Sequence, residues 1–215
     1  ETIEDNDVEH FIANELKEQA FSPFDIVTVG EANGVTADNA LPWVAEATEH
    51  DQGGIFNMIF QFEHMKLWSE EQSNEPLDLV EFKRILSRWQ DALEGKGWNA
   101  LYLENHDQAR SIDTFADPNS RYASATALAS CYFLMKGTPF IYQGQEIGMV
   151  NHQFTSLDEF NDVSARNWIQ KLSQQGQSDA DILALLKQVG RGGRRVPMQW
   201  NDQDFAGFSE VQPWF

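Results

Sequence analysis

Across 215 residues the chain has one cysteine, Cys131. A lone thiol cannot form an intrachain disulfide, so the fold must hold without covalent staples, and a reducing, cytoplasmic setting is expected. Cys131 sits in ATALASCYFLM, where it reads as a small apolar residue of a helix. Basic side chains are scarce too: 15 Lys and Arg stand against 34 Asp and Glu, a formal net charge of −19. Nucleic-acid affinity comes largely from Lys and Arg displacing counterions, so this balance argues against a nucleic-acid partner. No apolar run is long enough to span a bilayer, which argues against a membrane partner. The chain opens on ETIEDND rather than methionine, so its start carries no information on targeting. A neutral or cationic small molecule is the easier ligand.

What is present is an alternation. VEHFIANELKEQAF (8–21) puts Val8, Phe11, Ile12 and Leu16 on one helical face, and FDIVTVG (24–30) reads as a buried strand. DNALPWVAEAT (38–48) has helix-start chemistry, with Asp38 as N-cap and Pro42 in the first turn. IFNMIFQF (55–62) predicts a second strand, and PLDLVEFKRILSRWQDAL (76–93) a helix with Leu79, Phe82, Leu86, Trp89 and Leu93 as its stripe. ALYLE (100–104), RYASATALASCYFLMK (121–136) and TPFIY (138–142) predict strand, helix and strand. Apolar strands alternating with amphipathic helices mean an α/β fold with a parallel sheet. Residues 1–150 hold the βα units. Residues 151–215 loosen into loops, the short helix SDADILALLKQV and the arginine-rich loop GRGGRR (190–195).

Each predicted strand runs into polar chemistry: Glu31; then Gln61, Glu63 and His64; then Glu104, Asn105, His106 and Asp107; then Gln143, Gln145 and Glu146. In α/β proteins ligands bind at the carboxyl ends of the strands, so these residues point to one carboxylate-lined pocket. The strand ends lack Asp-x-Asp spacing, so a metal is the weaker reading and no cofactor is expected. Glycoside hydrolysis needs one carboxyl kept protonated as donor and others facing an oxocarbenium-like centre. Glu31, preceded by apolar Ile26, Val27 and Val29, suits the donor through desolvation, and Asp107, beside Asn105 and His106, suits the ionised role.

TVGEANGV, YLENHDQAR, GTPFIYQGQEIGM and RRVPMQW together resemble the oligo-1,6-glucosidase and α-glucosidase branch of the α-amylase family, glycoside hydrolase family 13. FNMIFQFEHM and LVEFKRILSRWQ resemble it too, so the likeness covers nearly the whole chain. The resemblance implies that Glu31 is the general acid/base, Asp107 the transition-state stabiliser and His106 a hydrogen-bonding partner of the sugar. It implies that Arg195, with Arg191 as a second candidate, holds a terminal glucose. Ala32 and Asn33 would tune linkage preference, and Glu146 would lie near the pocket. Small oligosaccharides would be the substrates.

The departures are as informative. The family's nucleophile lies in a Gly-Phe-Arg-Met-Asp-type motif at the end of the fourth barrel strand, and no such motif occurs here. The resemblance therefore implies that the chain is the C-terminal half, strands 5–8, of a (β/α)8 TIM barrel. Such a half would be inactive or nearly so alone, and any calcium site of the parent would lie outside it. Exposed half-barrel edges would favour a homo-oligomer, unless the strands flatten into an open three-layer sheet. GRGGRRVPMQWN also departs from the family's usual Arg-Asp-Asn-Ala-Arg-Thr-Pro-Met-Gln-Trp-Asp. Rival readings are a transglycosylase, sucrose isomerase or phosphorylated-disaccharide hydrolase of the same family. A non-catalytic carbohydrate-binding or interaction domain is the rival from another class.

Overall fold

The structure, a computed structural model, describes residues 15, 19–21, 23–49, 53–67 and 77–213. Most of the helix expected over 8–21, and Pro76, lie outside them. The chain divides into two compact units. One comprises Glu1–Leu67, Asp78–Leu101 and Leu134–Phe140; the other comprises Trp68–Leu77, Tyr102–Phe133 and Ile141–Phe215.

The first unit carries the sheet. Its strands are β1 (Val29–Glu31), β2 (Met58–Phe60), β3 (Asn99–Leu101) and β4 (Thr138–Pro139), all parallel and side by side in chain order. All four carboxyl ends therefore share one edge of the sheet. The strands are shorter than the apolar runs that predict them. Pairing starts at Val29 opposite Met58; just before it Thr28 O accepts from Asn57 N and Met58 N, and the Asn57 side chain adds bonds of its own. Its Oδ1 accepts from Thr28 N at 2.8 Å, and Asn57 N donates to Thr28 Oγ1 at 3.1 Å. Phe24 and Val27, expected inside a strand, are exposed. The edge strand β4 is only two residues long, and Phe140 N adds one further bond to Leu101 O at 2.7 Å.

The helix expected over 38–48 is a 3-10 turn, Ala37–Asn39, followed by α1 (Leu41–Val44). Asp38 lies inside that turn rather than capping it; Thr36 precedes it, its N–H donating to Asn39 Oδ1 at 2.7 Å. The chain leaves the helix after Val44 because its next groups pair elsewhere, Gly54 N with Ala45 O and Glu46 N with Lys96 O. α2 (Leu79–Leu93) starts where Asp78 accepts from Glu81 N at 2.9 Å. Its buried stripe is Phe82, Ile85, Leu86, Trp89 and Leu93. Leu79, expected in the stripe, is 59% exposed in the first turn, and Ile85 takes its place. Ile85, Trp89 and Leu93 pack with Ala32, Val35, Val44 and Ile59 into the core of this unit.

The second unit is helical: α3 (Ser111–Phe115), α4 (Arg121–Phe133), α5 (Val163–Gln174) and α6 (Asp179–Val189). α5 falls in the region after residue 150, where the sequence pattern loosens. Its cap is Asp162, which accepts from Ala165 N at 2.8 Å, and Ala165 and Leu172 bury one face. α6 starts at Ser178 as its sequence predicts. The two helices close over Phe154, Phe160, Ile182 and Leu186.

Candidate active site

The segment LYLENHDQAR carries the centre of the site, and its carboxylates divide the work. Glu104 is 2% exposed and faces inward. Its Oε1 accepts from Arg110 Nη1 at 2.8 Å, and its Oε2 from Ser111 N at 2.7 Å and Ser111 Oγ at 2.6 Å. Arg110 is itself fully buried, donates to Gln143 O at 2.7 Å and lies over the Tyr142 ring, 4.4 Å from its centroid. The buried charge is thus paired and its lone pairs used. Glu104 is an internal strut, not a reacting group.

Asn105 then turns the chain. Its Oδ1 accepts from both Asp107 N and Gln108 N at 2.8 Å, an Asx turn. Asn105 therefore holds the backbone of Asp107 and does not donate to its carboxylate, contrary to the sequence expectation. The donors come instead from the arginine loop. Arg195 Nη2 bonds Asp107 Oδ1 while its Nε donates to His106 O at 3.0 Å. Arg191 Nη1 lies 3.3 Å from the same carboxylate oxygen, and His106 Nε2 lies 3.8 Å from it. His106 and both arginines remain half open to solvent. The four residues form a polar patch able to offer donors and an acceptor to a ring of hydroxyls.

Sequence reasoning missed Arg194 between them. It is 4% exposed, and burial, followed by the charge of Arg191, pushes its pKa down to about 10, so it stays charged at neutral pH. Its Nη1 donates to Asp107 O and its Nη2 to Gly190 O, both at 2.9 Å. The available signal was the run of arginines at 191, 194 and 195 in a strongly acidic chain.

The remaining expected residues lie elsewhere. In the first unit Glu31 ends β1 and is exposed, but so are Ile26, Val27 and Val29. Their side chains are open to solvent, although Val29 pairs with Met58 of β2 through the backbone. Asn33 is exposed in a turn closed by Val35 N to Ala32 O at 3.2 Å, where Gly34 supplies a φ of +102°. Also in that unit, Glu63 accepts from Arg88 at 2.7 Å and Trp89 Nε1 at 2.6 Å, and Gln61 and His64 are buried against each other. These, too, are struts. In the second unit Glu146 is exposed and lines an apolar groove with Tyr122, Tyr132, Phe133 and Ile147, none of them in the Asp107 cluster. Among the described residues no group of three or more His, Cys, Asp or Glu could hold a metal ion, and no helix is long and apolar enough to cross a membrane.

The sequence profile of the α-amylase catalytic domain matches residues 2–215. The chain belongs to the α-amylase family. This α-amylase-family chain is 51% identical over 204 residues to the probable oligo-1,6-glucosidase 3 of Bacillus subtilis, covering 94% of the chain and 36% of that protein. It is 42% identical over 210 residues to the oligo-1,6-glucosidase of Bacillus cereus, covering 95% of the chain and 37% of that protein. Among solved structures it is similar to the trehalose-6-phosphate hydrolase of Bacillus licheniformis, with a TM-score of 0.80 and 34% identity over 96% of the chain and 37% of that one. It is also similar to the isomaltulose synthase of Protaminobacter rubrum, with a TM-score of 0.77 and 29% identity over 99% of the chain and 40% of that one. The α-amylase-family chain thus spans little more than a third of the relatives it matches. Those first two relatives are named as oligo-1,6-glucosidases.

Proposed function

We propose that the chain is part of the catalytic unit of a retaining exo-α-glucosidase that cleaves α-glucosidic bonds in short oligosaccharides, supplying strands 5–8 of a (β/α)8 barrel. The observation that carries this reading is the clasp of Arg195 and Arg191 on Asp107, with His106 beside it. Asp107 faces the developing positive charge of the glucosyl centre, while Arg195, Arg191 and His106 hold the hydroxyls of the terminal sugar. Glu31 donates a proton to the leaving oxygen and then draws one from water. Asn33 and Glu146 shape the approach of the sugar that leaves.

The 215 residues contain no Gly-Phe-Arg-Met-Asp motif, so in this reading they supply the acid/base and the stabiliser but not the nucleophile. They do not form a glycosyl-enzyme by themselves, and the purified chain leaves p-nitrophenyl α-glucoside intact. The exposed strand β1 and the short edge strand β4 favour self-association in a cytoplasmic protein.

The decisive experiment uses a protein that contains these residues together with the nucleophile motif. Glu31→Gln lowers hydrolysis of isomaltose by about 10²–10⁴-fold, the usual worth of a general acid. It spares kcat/KM for a dinitrophenyl glucoside, whose leaving group needs no proton, while kcat still falls because water attack needs the base. Equal losses of kcat/KM on both substrates would remove Glu31 from the acid role. The resemblance to an isomaltulose synthase and a trehalose-6-phosphate hydrolase supports a second reading, in which the same residues serve rearrangement or a phosphorylated disaccharide; product analysis with sucrose separates it.

A further inference from the structure

We infer that Arg194 is a positioning residue that sets the clasp on Asp107 from beneath, through its grip on the main chain. The inference rests on the sugar-binding reading of Asp107 and adds a residue to it.

Arg194 grips the main chain at two points 83 residues apart, Asp107 O and Gly190 O, each at 2.9 Å. Its own carbonyl accepts from Tyr142 Oη at 3.0 Å, and the Tyr142 ring lies under the buried Arg110 that pairs with Glu104. A continuous set of buried and part-buried contacts therefore runs Glu104, Arg110, Tyr142, Arg194, Asp107. Both ends belong to the same segment, so the arginine loop is fixed to the backbone that presents Asp107. Arg195 then has a set origin from which its fork meets the carboxylate and His106 O together.

The glycines before Arg194 make this seat possible. A Cβ on Gly193 would lie 2.9 Å from His152 O, whose own N–H donates to Gly193 O at 2.7 Å. A Cβ on Gly192 would lie 3.0 Å from the Phe154 ring. Gly-Gly lets the 3-10 turn Gly192–Arg194 press onto that segment, which turns the Arg194 side chain down and inward. Gly192, Gly193 and Arg194 thus act together: the glycines bring the turn down and the arginine locks it.

Three variants test this in the ¹⁵N-labelled chain: Arg194→Ala, Arg194→Lys and Tyr142→Phe. Two quantities are read by NMR, the hydrogen exchange of the Arg195 Nε–H and the dissociation constant for glucose. Arg194→Ala speeds the Arg195 exchange and weakens glucose about tenfold or more, which is one lost strong contact's worth. Arg194→Lys recovers only part of both, because an ammonium cannot span two carbonyls as the planar fork does. Tyr142→Phe moves both in the same direction by less. A folded Arg194→Ala chain with Arg195 exchange and glucose affinity within about twofold of the parent would overturn the inference, since a purely structural arginine would change melting alone. Where Arg194→Ala does not fold, unchanged readings in both other variants overturn it. If the parent chain binds no glucose, the sugar-site reading fails, and the Arg195 exchange still decides the positioning role.

Discussion

Arg195 holds Asp107 at two levels, its Nη2 on the carboxylate and its Nε on the carbonyl of the preceding His106 at 3.0 Å. One planar group thus fixes both the charge and the backbone that carries it. The pair is part-exposed, so its worth lies in orientation more than in stability.

Arg195→Lys therefore keeps the charge yet is expected to lose the proposed grip on the sugar. A lysine cannot serve both acceptors in one plane. Glucose binding is expected to weaken about tenfold, while the free energy of unfolding changes by no more than about 0.5 kcal/mol. Calorimetric titration and urea unfolding on the same variant check both halves.

Glu104→Ala has the opposite signature. It leaves the Arg110 guanidinium, fully buried, without its carboxylate, and breaking a buried pair from one side costs about 3–5 kcal/mol. Thermal unfolding would show a large fall in midpoint. Glu104→Gln, which retains an acceptor for Ser111, loses less. A melting point unchanged in Glu104→Ala would mean that the segment before Asp107 is not held as described.

Tyr132 gives the alkaline limb. Burial, with Glu104 as a secondary cause, pushes its pKa from 10.0 up to about 12. The folded chain therefore keeps the phenol proton longer than the unfolded chain does. Its contribution is fully present below pH 10 and is lost as pH rises from 10 towards about 12. Tyr132→Phe has no such proton, so its stability falls less steeply over that window in a pH series of urea unfolding curves.

The broad fold was readable because its signal is periodic. The parallel sheet, α2 and α6 follow from apolar runs, a stripe at helical spacing and good caps at Asp78 and Ser178. Strand limits were not, because they depend on where a neighbour's backbone is available; nothing in FDIVTVG announces that Asn57 will occupy the Thr28 groups. α5 could have been read from Asp162 three residues before Ala165, followed by Ile169 and Leu172, but its apolar face is thin.

At the site, the motif residues Asp107, His106 and Arg195 could be singled out from the sequence, and their side chains lie together. The sorting of carboxylates could not be read there. Glu63 and Glu104 look as catalytic in sequence as Asp107, and only their partners Arg88, Trp89, Arg110 and Ser111, 6 to 26 positions away, reveal them as struts. The role of Arg194 depends on contacts 87 positions apart, beyond any local pattern.

The most direct test of the account is an NMR titration of the labelled chain with glucose. Saturable shifts of His106, Asp107 and Arg195 resonances, abolished by Asp107→Ala in a folded chain, are the predicted result. Shifts confined to other residues, or a full response in Asp107→Ala, would contradict it.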